Sequence, residues 1–215
     1  MTTKLKVQNT TLQPVVVYLT LGATPGCVQD VANIYVDNGV HITRLFNLQG
    51  YFTVPSRATV ELRAPDGLGF NGNFSIATPP LNCPTNEFQQ GVNLAEFIIN
   101  NGFQVNGQET IDISCVCGAN SFLEYELDAD DWTTNGGQVQ VHKIANGMCF
   151  ENTGLVGVFP YGCDNCTSSD NPPSCVGQHP EYANQDPICN VQRPASGNQG
   201  GTVLVKFKGM TPQPC

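Results

Sequence analysis

Residues 92–114 read VNLAEFIINNGFQVNGQETIDIS and contain two runs with the composition of β-strands, LAEFIIN and ETIDIS. Asn-Gly occurs twice between these runs, and this dipeptide accepts the positive φ angles of tight hairpin turns. Side chains alternate between the two faces of a strand, so Phe97 and Ile99 share one face and Ile111 and Ile113 supply a matching one. The stretch therefore predicts a β-hairpin with one apolar face.

The opposite face of this hairpin carries two carboxylates. If the runs pair around Gln104, Glu96 lies directly across from Asp112. Like charges opposite each other in a sheet are unfavourable, so such a pair either takes up a cation or raises the pKa of one carboxyl. The alternative is a different register in which both carboxylates are solvated. The pair is the strongest local indication of a functional site.

The composition is that of a loop-rich β protein. The 215 residues fit one domain, or one domain with an insertion, and charged residues make up only 13% beside 22 Gly and 15 Pro. The net charge is −9 and the chain has no basic cluster, which argues against a nucleic-acid partner. No apolar run reaches the length needed to span a bilayer.

The ten cysteines are an even number at high density, which predicts disulfides and an oxidising compartment. They are Cys27, Cys83, Cys115, Cys117, Cys149, Cys163, Cys166, Cys175, Cys189 and Cys215. A zinc site around Cys163 and Cys166 is the alternative, but the spacing of the possible ligands fits no familiar zinc pattern. We therefore predict no metal and no cofactor.

The cysteines imply a secreted protein, although the chain opens MTTKLKVQN without a charged and apolar leader. We expect that a leader has been removed or replaced by an initiator Met. Three glycosylation triplets, at Asn9, Asn73 and Asn165, fit a secretory route and a glycoprotein.

The rest of the chain shows about ten short strands separated by turn residues, a pattern typical of a β-sandwich or barrel. The runs at 4–9 and 14–21 are predicted to pair as an N-terminal hairpin. Residues 1–147 and 200–215 are interpreted as the core. Residues 148–199 lack periodicity and are interpreted as a cysteine-rich inserted lobe.

The order of LAEF, IDIS and Gly-Ala-Asn-Ser-Phe resembles the thaumatin-like (pathogenesis-related group 5) proteins, in which an L-A-E-F strand precedes Y-D-(V/I)-S and G-F-N segments. The opening KLKVQNTT and the closing VLVKF also resemble that family. The family's Thr-Gly-Asp-Cys core is absent, and Thr11 and Lys208 stand where it bridges its first and last strands. The resemblance implies a flattened antiparallel β-sandwich of about 10–11 strands with a disulfide-rich, loop-dominated lobe.

The resemblance also implies an acidic cleft between sandwich and lobe, lined in the family by one Arg, one Glu and three Asp. Glu96 matches the Glu, Asp112 matches the first Asp, and Arg63 matches the Arg. Cys117 and Asn190 stand at the positions of the other two Asp. Three of the five cleft residues are therefore present.

The function implied by the resemblance is that of a secreted defence or wall-associated, antifungal protein that binds a β-glucan-type carbohydrate or a cell-wall surface. Arg63, Glu96 and Asp112 would then hydrogen-bond sugar hydroxyls, and Tyr161 or Trp132 would stack on sugar rings. The structural alternative is that Arg63 is simply the counter-ion of the two carboxylates.

Two other functions stay open. One is a weak endo-β-1,3-glucanase, with Glu96 as the acid and Asp112 as the base or nucleophile. The loss of two acidic positions leaves less like-charge repulsion to raise a pKa, which favours binding over catalysis. The other is a non-catalytic extracellular assembly protein, or an inhibitor of a secreted enzyme, that uses exposed sheet edges.

Overall fold

The computed structural model describes residues 2–78, 92–102, 107–114, 120–134, 140–145, 191–194 and 200–210. These residues form two β-sheets, and their sole helical element is a 3-10 turn at Val31–Asn33. None of them belongs to a helix long and apolar enough to cross a membrane. The prediction of an all-β fold is confirmed.

Fourteen strands lie in the described part of the chain. They are β1 (Lys4–Asn9), β2 (Val15–Leu21), β3 (Tyr35–Val36), β4 (Thr43–Phe46), β5 (Gln49–Val54), β6 (Thr59–Arg63), β7 (Phe70–Ala77), β8 (Leu94–Ile99), β9 (Gln108–Ser114), β10 (Ser121–Asp128), β11 (Thr133–Thr134), β12 (Lys143–Ala145), β13 (Val191–Pro194) and β14 (Thr202–Met210).

The strands form a sandwich of two mostly antiparallel sheets. One sheet has the order β12-β10-β14-β1-β6-β3, and the other has the order β11-β13-β9-β8-β7-β2-β5-β4. The parallel exception among the named strands is the pair β1–β14, which joins the two ends of the chain. The predicted antiparallel β-sandwich is therefore confirmed apart from this pair.

The inward faces of the two sheets share one hydrophobic core. Strict alternation produces it: β2 buries every second residue, from Val15 to Leu21, and β8 does the same with Phe97 and Ile99. Phe74 lies at the centre of the larger sheet, with ring centroids 6.3 Å from Phe52 and 4.8 Å from Phe97. Such aromatic pairs add about 0.5–1.5 kcal/mol each beyond the area they bury.

The predicted N-terminal hairpin is wrong, because β1 and β2 belong to different sheets. β1 pairs with β6 and β14, whereas β2 pairs with β5 and β7. Asn9 fixes the crossing between the sheets. Its Nδ2 donates to the carbonyls of Gln13, Val54 and Pro55 at 2.7, 3.3 and 3.1 Å. Asn9 is fully buried in this role, so the triplet at Asn9 leaves no room for a glycan.

One strand of the larger sheet falls within the range predicted as the inserted lobe. β13 lies within the predicted range 148–199, yet it pairs with β9 in the larger sheet. Val191–Pro194 therefore belong to the larger sheet. Residues 148–190 lie outside the described part of the chain, and the division into core and lobe remains a prediction.

Cys27 is the one cysteine within the described residues, and it is buried and free. The predicted disulfide at Cys27 is therefore wrong. Burial raises the pKa of its thiol to about 11, which suppresses the reactive thiolate. The remaining nine of the ten cysteines lie outside the described residues, and their disulfides remain predictions.

Candidate functional site

The hairpin of β8 and β9 has the register that the sequence predicts. Glu96 pairs with Asp112, and Phe97 pairs with Ile111. Phe97 and Ile111 point into the core, so Glu96 and Asp112 project from the opposite, outer face of the larger sheet. We refer to Glu96 and Asp112 as the carboxyl pair.

The carboxyl pair is one end of a row of polar side chains that crosses five adjacent strands. Asp112 on β9 pairs with Glu96 on β8, which pairs with Asn73 on β7; Thr20 on β2 and Gln49 on β5 continue the row. We call these five residues the polar row. Four strand spacings of about 4.8 Å make it about 19 Å long.

The polar row lies in a shallow groove on the outer face. One depression, with a volume of about 430 Å³, is lined by Thr20, Asn73, Glu96 and Asp112 among others. A second depression of about 610 Å³ adjoins it, because Thr20 and Leu21 line both. We call the two depressions together the outer groove. Both volumes fall within the range of about 300–1,000 Å³ that is usual for ligand sites.

The far end of the outer groove carries two exposed apolar side chains beside the polar Arg44 and Asn47. It is formed by β4, in which all four residues are exposed, and Phe46 is paired with Gln49 of the polar row. Phe46 is 68% exposed and its neighbour Leu45 is 46% exposed. An exposed aromatic ring beside a groove is a candidate surface for contact with a ligand.

The two carboxyl groups of the pair lie directly opposite each other, and each shifts the pKa of the other. Burial is the main cause that raises the pKa of Asp112 to about 8, and the charge and hydrogen bond of Glu96 raise it further. Burial also raises the pKa of Glu96, although its hydrogen bond with Asp112 opposes that shift. The pair therefore holds one proton near neutral pH, as the sequence argument allowed.

Three atoms of the polar row are buried without a hydrogen-bond partner among the described residues. They are Asp112 Oδ1, Asn73 Oδ1 and Thr20 Oγ1. A buried polar atom without a partner costs about 1–3 kcal/mol. Three of them in one row make the polar row a candidate for contacts with a ligand or with solvent.

Tyr125 supports the pair from the core side of the sheet. Its hydroxyl donates a hydrogen bond of 2.6 Å to the backbone carbonyl of Glu96. Tyr125 is fully buried, and burial followed by the charges of Asp112 and Glu96 raises its pKa well above the usual value. It holds β8 in place but does not line the outer groove.

The structure does not bring Arg63 to the carboxyl pair. Arg63 lies on β6 of the smaller sheet, where its Nε is 3.0 Å from Glu61 and its guanidinium lies over the ring of Tyr35. The predicted group of three residues is therefore corrected to a pair, and Arg63 is not its counter-ion. A short sequence motif can identify a strand, but it does not indicate which sheet that strand joins.

The aromatic predictions have different outcomes. Trp132 is fully buried, so it has no face with which to stack on a sugar. Tyr161 lies outside the described residues, as do Cys117, Asn190 and the zinc alternative at Cys163 and Cys166. Among the described residues, no group of three or more His, Cys, Asp or Glu side chains is close enough to hold a metal ion.

A second group of charged residues, which sequence analysis missed, lies inside the sandwich. The buried Arg193 on β13 has its Nε 2.6 Å from Glu109 on β9 and its Cζ 4.6 Å from the ring centre of Trp132. Its guanidinium also donates to Thr3 Oγ1 and to the Gly200 carbonyl, both at 2.6 Å. This network ties both ends of the chain to the larger sheet.

A sequence signal for this network exists. Glu109 falls on the same face of β9 as Ile111 and Ile113, and a carboxylate on an apolar face needs a buried cation. Because Arg193 lies in a stretch without strand periodicity, its partner could not be named from the pattern.

No protein-family model matches the chain, and no curated protein is similar to it. Among solved structures, a thaumatin-like xylanase inhibitor aligns with 95% of this chain and 98% of its own, at 11% identity and a TM-score of 0.41. A similarity at this level is too weak to define a family or a function.

Proposed function

We propose that the protein binds carbohydrate without cleaving it, through the outer groove. The observation that supports this most directly is that the polar row ends beside an exposed aromatic ring. Gln49 pairs with Thr20 on one neighbouring strand and with Phe46 on the other. A sugar presents hydroxyl groups at its rim and C–H groups on its face. A site with amide, hydroxyl and carboxyl groups beside an apolar ring is complementary to both.

The protonation of the carboxyl pair argues against glycoside hydrolysis. Both retaining and inverting glycosidases need one carboxylic acid and one ionised carboxylate that acts as base or nucleophile. Asp112 would take the second role, but burial, followed by the charge of Glu96, raises its pKa to about 8, so it is protonated at neutral pH. Binding is therefore favoured over the glucanase alternative.

The unpartnered atoms restrict the ligand class. Asp112 Oδ1 and Asn73 Oδ1 accept hydrogen bonds, and Thr20 Oγ1 either donates or accepts. The ligand must therefore present donors, as the hydroxyls of a neutral glycan do. Acidic polysaccharides would place their own acceptors against these atoms. A neutral β-glucan, the ligand class implied by the thaumatin-like resemblance, is the first probe, and the proposed setting is extracellular.

The test is calorimetric titration of a soluble β-1,3-glucan into the protein and into two matched variants. Phe46→Ser removes the exposed ring of the groove. Leu12→Ser removes a side chain of equal exposure, 68%, that lines neither depression. We expect at least a tenfold loss of affinity for Phe46→Ser and no change for Leu12→Ser. Absence of binding, or equal losses in both variants, would refute the proposal.

A second candidate function, assembly through a sheet edge, is favoured by β4. This strand ends the larger sheet among the described strands, and its outward residues include Leu45 and Phe46. An exposed apolar edge strand is a ready template for pairing with another chain. Size-exclusion chromatography over a concentration series separates the two functions, since assembly predicts a shift towards larger species that Leu45→Lys abolishes.

A further inference from the structure

The outer face of the smaller sheet gathers most of the positive charge of the protein. Side chains alternate along its strands, so its charged residues point away from the core residues Leu5, Val60 and Val205. We call this surface the basic face. It carries all five lysines of the chain and one of its four arginines, namely Lys4, Lys6, Arg63, Lys143, Lys206 and Lys208.

The charge of the basic face is opposite to that of the whole chain. The six strands of the smaller sheet carry these six basic residues and four acidic ones, a surplus of two positive charges, whereas the net charge of the protein is −9. The basic residues are scattered from position 4 to position 208, so the sequence shows no basic cluster. The fold creates this cluster by bringing distant strands into one sheet.

One buried carboxylate holds three ammonium groups together at one end of the basic face. Lys143 Nζ and Lys208 Nζ lie 2.8 and 3.0 Å from Glu124 Oε2, and Lys206 Nζ lies 3.7 Å from its Oε1 and also contacts Glu126. The Glu124 side chain is only 3% exposed, whereas those of Lys143 and Lys208 are 55% and 49% exposed. Three cations therefore share two carboxylates, and two of these cations lie outermost.

The same surplus recurs at the other end of the basic face. Lys6 Nζ and Arg63 Nε lie 3.8 and 3.0 Å from Glu61, so two cations share one carboxylate. The ammonium group of Lys4 forms no ion pair with any described residue. Ion pairs that served the fold alone would need no surplus of cations over carboxylates. The surplus is available to an anion from outside.

Four lysines form a line along the two central strands of this sheet. β1 and β14 run parallel, with Gln8 opposite Lys206. Lys4 and Lys6 on β1, followed by Lys206 and Lys208 on β14, therefore occupy four successive outward positions. Outward positions are two residues apart, or about 6.6 Å, so the line is about 20 Å long. A straight line of evenly spaced cations matches a linear polyanion.

The spacing also selects the class of polymer. A DNA strand carries one negative charge per about 3.4 Å, about twice the density of the lysine line, and its phosphates would meet the exposed Glu126. A polysaccharide with one carboxylate per sugar has its charges further apart, with uncharged groups between them. The exposed ring of Tyr35, which lies beside Arg63 at the edge of the face, offers an apolar surface to the C–H groups of a sugar.

We propose that the basic face binds a linear, carboxylate-bearing polysaccharide along the line from Lys4 to Lys208. This site lies on the opposite side of the sandwich from the outer groove, so it does not depend on the proposed function. Packed sheets are about 10 Å apart, and charges are screened beyond about 8 Å at physiological ionic strength. The acidic remainder of the chain therefore repels the polymer only weakly.

The experiment is a calorimetric titration of polygalacturonate into the protein at an ionic strength of about 0.15 M, with dextran as the uncharged polymer. We expect binding of polygalacturonate alone. Lys4→Gln and Lys208→Gln should each weaken it about threefold, and together about tenfold, with a shallower dependence of log affinity on log salt. Thr53→Glu is the matched control. It changes the net charge as much as either lysine variant but lies on the outer face of the larger sheet, and it should bind as the parent does.

Two further measurements keep the test sharp even if Lys208→Gln fails to fold. Glu126→Gln removes an exposed carboxylate from the basic face and should tighten binding about threefold. Bound polygalacturonate should also slow the acetylation of Lys4 and Lys208, as followed by mass spectrometry. Absence of binding, equal affinity for dextran, equal losses in Thr53→Glu and Lys4→Gln, or tighter binding of single-stranded DNA than of polygalacturonate would each overturn the proposal.

Discussion

The carboxyl pair should make folding stability fall as the pH rises. Asp112 titrates near 3.8 when unfolded and at about 8 in the folded protein, because it is buried against Glu96. Between these values the folded state holds a proton that the unfolded chain has released. A carboxyl with a raised pKa therefore stabilises most at low pH, and this stabilisation is lost as the pH rises towards 8.

The magnitude follows from proton linkage. One extra proton in the folded state gives a slope of about 1.4 kcal/mol per pH unit, or about 2.7 kcal/mol between pH 5 and pH 7. In Asp112→Asn the side chain no longer titrates, while its amide still donates to Glu96. We expect the slope attributable to Asp112 to disappear in this variant, and stability at pH 7 to equal or exceed that of the parent.

The assay is urea unfolding at pH 5, 6 and 7, followed by the fluorescence of Trp132, the single tryptophan, which is fully buried. Subtracting the variant's free energy of unfolding from the parent's at each pH removes the contributions of the other titrating groups. A difference that changes by less than about 0.5 kcal/mol between pH 5 and pH 7 would refute the reasoning, because it would mean that the pair holds no extra proton.

Three further predictions concern the framework around the groove. Glu124 is buried, which alone would raise its pKa, but hydrogen bonds from lysines of β12 and β14 hold that pKa below its usual value. Glu124→Gln should therefore lower the stability at pH 7. It should also reduce the stability that is lost on acidification below pH 4.5, as measured by thermal unfolding. A Cβ on Gly72 would lie 2.2 Å from the Thr20 carbonyl, so Gly72→Ala should destabilise by about 1–3 kcal/mol in urea unfolding, whereas Gly102→Ala, where a Cβ meets nothing within 4 Å, should cost less than 1 kcal/mol. Cys27 should resist Ellman's reagent in the native protein and react after unfolding, because its thiol is buried. Nine cysteines remain besides Cys27, and an odd number cannot all pair within one chain, so at least one more must lack an intrachain disulfide. Mass spectrometry should therefore find at least two such cysteines, and an even number of them.

The sequence predicts best those features that depend on alternation along a strand. The facing of Glu96 and Asp112 follows from period two together with the two Asn-Gly turns, and the register is as predicted. Alternation gives no information about which sheet a strand joins. The pattern therefore groups Arg63 with the carboxyl pair and pairs β1 with β2, although the structure places each of these in different sheets.

The rest of the site depends on contacts between distant parts of the chain. Phe46 completes the groove only because β4 pairs beside β5, and the partner of Glu109 is contributed by β13, which is 84 residues away along the chain. Neither contact leaves a local pattern. A charged residue on an otherwise apolar strand face, as at Glu109, still signals that a partner must exist.

Strand β9 places one carboxylate on each face of the larger sheet, and the two are treated differently. Glu109 points inward and is 2.6 Å from the guanidinium of Arg193. Asp112 points outward and faces a second carboxyl instead of a cation. If stability alone had shaped both positions, Asp112 would also have a cationic or apolar neighbour, since a buried like-charge pair is costly.

This contrast indicates that the outer pair is retained for binding at the expense of stability, as is common at functional sites. It follows that the double variant Glu96→Gln with Asp112→Asn should be more stable than the parent at pH 8, as measured by urea unfolding. A double variant less stable than the parent at pH 8 would show that the pair serves the fold, and the argument for a site at this end of the groove would then fail.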